Sequence, residues 1–199
     1  MRAASVATVV LMLVAASSMA QGPGATDRTS ALFRDVDEAT VLAAGSGERA
    51  INAVGYRLLE VDVAALRAFL GQALIEGSPS AASGAPVLEV PLPDGGAGRF
   101  RMVEVRVMEE ALARRFPELR TYRGAGLDDP TATLVCDLTP AGFHGMILGA
   151  GGTVIVEPFL RGDDRWVVSA YKRDFRPHDG KEPFVCGVRD DDGNAHTVP

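Results

Sequence analysis

The sequence predicts a mainly β, α+β fold: an antiparallel sheet or sandwich of short strands with one or two small helices packed on it. Three observations predict it. Apolar residues recur at every second position in run after run between residues 86 and 175. Close turns built on Gly, Pro and Asp separate those runs. Glycine is frequent, at 22 of 199 residues, yet 47% of the chain is hydrophobic, enough to bury a core and too much for general disorder.

The first twenty residues, "MRAASVATVVLMLVAASSMA", stand apart from the fold. Arg2 precedes an apolar run through Val14, and small residues follow. Ser18 and Ala20 fit the small-x-small pattern of a secretory cleavage site, with Gln21 as the first mature residue. The run is short for a hydrocarbon layer of about 30 Å, so residues 1–20 are read as a cleaved signal peptide. The mature product is then expected outside the cytoplasm, secreted or periplasmic, with no membrane attachment after cleavage. Losing Arg2 leaves 19 basic residues against 26 acidic, a net charge of −7, which disfavours nucleic acid as a partner.

Residues 21–53 read as a weakly structured lead-in, in which "LFRDVDEATVLAAG" makes at most a short helix stopped by Gly45. The domain proper is predicted over 54–175. "YRLLEV" opens it as a strand. Asp62 then caps a helix whose Leu66, Phe69 and Leu70 recur at helical spacing, ending near Gly71. "GSPSAASGA" (77–85) reads as a flexible loop.

Residues 86–92 and 99–108 alternate at period two around "PDGGAG", a hairpin turn. "EEALARRF" follows as a short helix, acidic at its start, basic at its end and closed by Pro117. "ELRTYRG" is another strand. Residues 131–139, 142–149 and 153–160 then form strands joined by tight turns, "GAGG" (149–152) among them, and 165–175 completes the set. From Arg176 the composition shifts to Pro, His, Asp, Gly and Lys, so 176–199 read as a flexible tail.

Most familiar catalytic patterns are missing. None of His144, His178 and His196 opens an H-E-x-x-H zinc helix, and no G-x-S-x-G elbow or P-loop occurs. "RDDDGN" (189–194) lacks the spacing of a calcium loop. "RGD" (161–163) sits between two strand patterns and reads as a turn. The chain is therefore expected not to be an enzyme and to carry no cofactor of its own.

The two cysteines differ. Cys136 shares a strand face with Leu134 and Leu138 and should point inward. Cys186 lies in the tail, after Pro183, Phe184 and Val185 and before Gly187, a residue that lets backbone approach another surface closely. It is a candidate ligand for a metal on another polypeptide, since zinc takes Cys as thiolate and a catalytic zinc keeps one position open. It can equally pair with Cys136 in a disulfide, or be an idle thiol.

The block "RTYRGAGLDDPTATLVCDLTPAGFHGMILGAGGTVIVEPF", followed by "YKRDF", resembles the amino-terminal pro-region of secreted bacterial metzincin proteases of the reprolysin-like type. The resemblance runs from about Tyr56 to Gly187 and is strongest over 127–143 and 171–175. "PFVCGVRD" is also similar to the cysteine-switch motif of matrix metalloprotease pro-regions. Pro183, Cys186, Gly187, Val188 and Asp190 correspond. The spacing before the cysteine is one residue longer, no arginine precedes it, and Arg189 stands in place of the second proline.

The resemblance implies an inhibitory or folding-assistant pro-domain, truncated before the catalytic domain. Its partner would be a metalloprotease catalytic domain in cis or in trans, and zinc would enter only through that domain. The alternative is a stand-alone cell-envelope or extracellular binding module with a Cys136–Cys186 disulfide.

Overall fold

Period-two runs need hydrogen-bonded neighbours, and here they find them in one sheet. A computed structural model describes residues 32–45 and 47–176, together with the backbone of 185–189 and 195–197. The expected signal peptide and its Ala20–Gln21 junction lie outside these residues, as do Pro183 and Phe184. The strands are β1 (Phe33–Asp35), β2 (Arg57–Val61), β3 (Leu74–Ile75), β4 (Val87–Pro91), β5 (Ala97–Val105), β6 (Thr121–Gly126), β7 (Thr133–Thr139), β8 (Gly142–Leu148), β9 (Val154–Pro158) and β10 (Trp166–Tyr171). The helices are α1 (Glu38–Ala44), α2 (Val63–Leu70), α3 (Ala81–Gly84) and α4 (Glu110–Arg115).

Ten strands form a mixed sheet in the order β1-β2-β10-β9-β8-β7-β6-β5-β3, with β4 also paired to β5. Only β3 with β5 is parallel; the other pairs are antiparallel. The sequence left open a sandwich or one sheet, and one strongly curved sheet is what forms. Ser169 in β10 donates its hydroxyl to the Pro91 carbonyl of β4 at 2.8 Å, and Arg57 in β2 reaches the Gly96 carbonyl at 2.8 Å. Strands far apart in the sheet order thus meet, so the sheet curls back on itself.

The concave side holds the main core. Leu88, Phe100, Met102, Leu134, Phe143 and Val156 are all at most 2% exposed there. Helix α2 adds Leu66 and Leu70, and its predicted cap is present: the Asp62 carboxylate accepts from the Ala65 amide at 2.9 Å. That bond satisfies one of the helix's orphan donors. Asp62→Ala is expected to cost about 1 kcal/mol of stability, read as a lower denaturation midpoint.

A second cluster lies on the opposite face of β2 and β10, where Val41 of α1 meets Leu58, Phe159, Leu160, Trp166 and Val168. This explains why Leu58 and Leu59, adjacent in one strand, are both buried. It also changes the reading of the lead-in. Phe33 is 1% exposed, and its ring stands edge-on to Phe143 at 5.7 Å. The lead-in from Leu32 onward is part of the packed domain, whereas its mixed composition suggested a loose one. Helix α4, expected to pack, buries none of its residues. The 77–85 loop holds α3, and β3 stands just before it.

The tail contains two more strands, β11 (Val185–Arg189) and β12 (Ala195–Thr197), paired antiparallel in a separate two-stranded sheet. Composition alone suggested no strand there. Among the described residues no helix is long and apolar enough to cross a membrane.

Candidate functional site

The two predicted cysteines end in different settings. Cys136 sits in β7 between Leu134 and Leu138, on the concave face as the alternation predicted. It is 3% exposed and carries a free thiol. Burial pushes that thiol well above the ordinary cysteine range, and the neighbouring Asp137 charge adds to the effect. Such a sulfur is a small apolar filler, poorly suited to attack or to bind metal.

Val185, Cys186 and Gly187 open β11, so the backbone at Cys186 is extended. The pairing with β12 shifts register between Val185↔Thr197 and Arg189↔Ala195. Within the described residues this two-stranded sheet shares no strand with the ten-stranded one. Two strands alone are marginal in water. A further strand added to such a ribbon gains backbone hydrogen bonds, the mode in which extended peptides dock.

A titratable row that the sequence reading missed crosses β7, β8 and β9 on the convex face. Asp137 stands directly opposite His144. The imidazole Nδ1 lies 3.0 Å from Asp137 Oδ1, and Nε2 lies 3.6 Å from Glu157 Oε2. The signal was present in the turns. A hairpin centred on Pro140–Ala141 puts 137 opposite 144, and one centred on 149–152 puts 144 opposite 157.

Burial raises the Glu157 carboxyl above its ordinary range; His144 pulls it down and Asp137 pushes it up again. A raised carboxyl favours the folded state most where it is protonated. Its contribution is full below the unfolded value and fades as pH climbs through the folded one. Glu157→Gln stays neutral throughout. The stability of Glu157→Gln relative to wild type should therefore rise as pH climbs from the ordinary Glu range through the raised folded value, measured by urea unfolding at each pH. A flat difference would contradict a raised carboxyl at the half-buried Glu157.

Two of the concavities among the described residues lie at opposite ends of β5. One of about 260 Å³ lies at the sheet end between the β4–β5, β6–β7 and β8–β9 connections, floored by Phe100, Ile147 and Val154. A wider groove of about 700 Å³ runs beside α4 at the other end of β5. Neither is lined by histidine or cysteine. Among the described residues no group of three or more His, Cys, Asp or Glu side chains is placed to hold a metal ion. No family model, no curated protein and no solved structure matches the chain.

Proposed function

We propose that the chain is the inhibitory and folding-assistant pro-domain of a secreted zinc metalloprotease of the metzincin type. Support comes from the residue pattern over 127–143 and 171–175, and above all from the extended strand that carries Cys186 in "PFVCGVRD". An extended segment lies along a protease cleft as a substrate would, held by main-chain hydrogen bonds. Gly187 allows the close backbone approach, and the Cys186 thiolate takes the position on the partner's zinc that the attacking water needs.

The domain itself is not the catalyst in this reading. Its curved sheet is the folded body that holds the inhibitory strand, and export follows from the leader over residues 1–20. The buried Cys136 thiol serves the core and not the switch.

Thiol titration tests the reading against the disulfide-linked module. The intact secreted chain should show one reactive thiol when native and two after denaturation without reductant. No thiol under either condition would mean a Cys136–Cys186 bond and would remove the switch. The same preparation should inhibit a reprolysin-like catalytic domain.

A further inference from the structure

We propose that the cavity at the end of the curved sheet is a binding site for a small organic amine, an ammonium group carried on one apolar body. The proposal is independent of the pro-domain reading and adds a ligand to this chain's own surface. The cavity measures about 260 Å³ and opens between the β4–β5, β6–β7 and β8–β9 connections. Its floor is Phe100, Ile147 and Val154, which are 2%, 5% and 3% exposed and belong to the main core. An apolar group that enters meets core side chains, which offer water no hydrogen bond in exchange. Gly149, Gly151 and Gly152 line one side, so much of that wall is bare backbone. Sites for drug-sized ligands run from roughly 300 to 1,000 Å³. This one is smaller and suits a body the size of one aromatic ring or branched aliphatic chain.

The mouth selects the charge. Asp94 from the β4–β5 turn and Asp128 and Asp129 from the β6–β7 loop line it, and Arg99 is the basic residue among the lining. Arg99 is already taken, with its Nε 3.0 Å and its Nη2 2.5 Å from Asp128 Oδ1. Among the described residues no ion pair reaches Asp94 or Asp129. Asp129 Oδ1 accepts the Thr131 amide at 2.9 Å and its hydroxyl at 2.6 Å. Those bonds hold the Asp129 carboxyl below its usual range, so it is charged at neutral pH. Asp94 Oδ1 accepts the Gly96 amide at 3.0 Å, and the Tyr171 hydroxyl stands 3.5 Å from Oδ2. A carboxylate accepts about four hydrogen bonds, so both keep acceptor capacity.

The neighbouring guanidiniums do not fill that capacity. Arg57 is held by Asp35 at 2.6 and 2.7 Å. Arg173 lies over the Tyr171 ring, 3.9 Å from its centroid, and is not part of the lining. A metal is not the missing cation either, because no group of three or more His, Cys, Asp or Glu side chains among the described residues is placed to hold one. Separate carboxylates above an apolar floor match an ammonium group, whose three donors can be shared between them while its apolar body is buried.

The test adds phenethylamine to the intact, isotope-labelled chain at neutral pH and follows the backbone amides by nuclear magnetic resonance. Saturable shifts are expected at Gly126, Gly149 and Gly151, with a Kd of about 1 mM or tighter. Phenylacetate reverses the charge on the same ring, and methylamine keeps the charge without the ring. Each should bind at least about tenfold more weakly. Asp94→Asn combined with Asp129→Asn should weaken phenethylamine by about tenfold or more. An amide oxygen still accepts the Gly96 and Thr131 bonds, so the loops keep their shape. Glu109→Gln combined with Glu110→Gln removes the same charge at α4 and should leave the affinity unchanged. No saturable shift with phenethylamine would overturn the cavity as a site. Phenylacetate binding as tightly as phenethylamine, or equal weakening by the two double variants, would overturn selection of an amine by Asp94 and Asp129.

Discussion

Replacing Phe33 by Ala is expected to remove about 3 to 5 kcal/mol of folding stability, the cost of deleting a fully buried aromatic ring and leaving its cavity. The ring is 1% exposed and packs edge-on against Phe143, itself at 0%. Strand β1 has three residues, and among the described residues its strand partner is β2 alone. Arg34 and Asp35 on the same strand are exposed, so Phe33 supplies nearly all of its core contact. The urea midpoint should fall while its slope stays constant, since the same surface is exposed on unfolding. A loss below about 1 kcal/mol, the scale of an ordinary surface substitution, would mean that the lead-in is only loosely attached and that the packed domain begins near residue 54.

That contrast shows where sequence reasoning reaches and where it stops. The hairpins from Thr133 to Pro158 were legible because alternation persists over five to seven residues and the turns between them are marked by Gly and Pro. Cys136 fell on the predicted face for the same reason. Strands β1 and β3 span three and two residues, too few to display a period. Strand β2 was legible in "YRLLEV", but that it is covered on both faces, burying Leu58 and Leu59 alike, was not. The Asp137–His144–Glu157 row needs register, which propensity does not supply, though centring each hairpin on its turn recovers it. Cys186 was conspicuous from the start, but the role proposed for it depends on a surface that would belong to another domain.

For the switch itself, Cys186→Ser should raise the inhibition constant against a matching catalytic domain tenfold or more, about 1.4 kcal/mol or greater. A serine hydroxyl keeps the shape of the strand and its main-chain hydrogen bonds but is a poor zinc ligand at neutral pH, where thiolate binds well. Cys136→Ser should leave the inhibition constant nearly unchanged once folding is allowed for, because that sulfur is 3% exposed in the core. Equal inhibition by wild type and Cys186→Ser would sink the ligand role while leaving inhibition by the folded body in place.

The proposed contact between sulfur and metal has a direct spectroscopic readout. With cobalt(II) in place of zinc in the catalytic domain, adding the intact wild-type chain should produce a thiolate-to-cobalt charge-transfer band in the near ultraviolet. Cys136→Ser should produce the same band, and Cys186→Ser should produce none. A complex that forms with wild type and shows no such band would contradict a Cys186 thiolate on the protease metal.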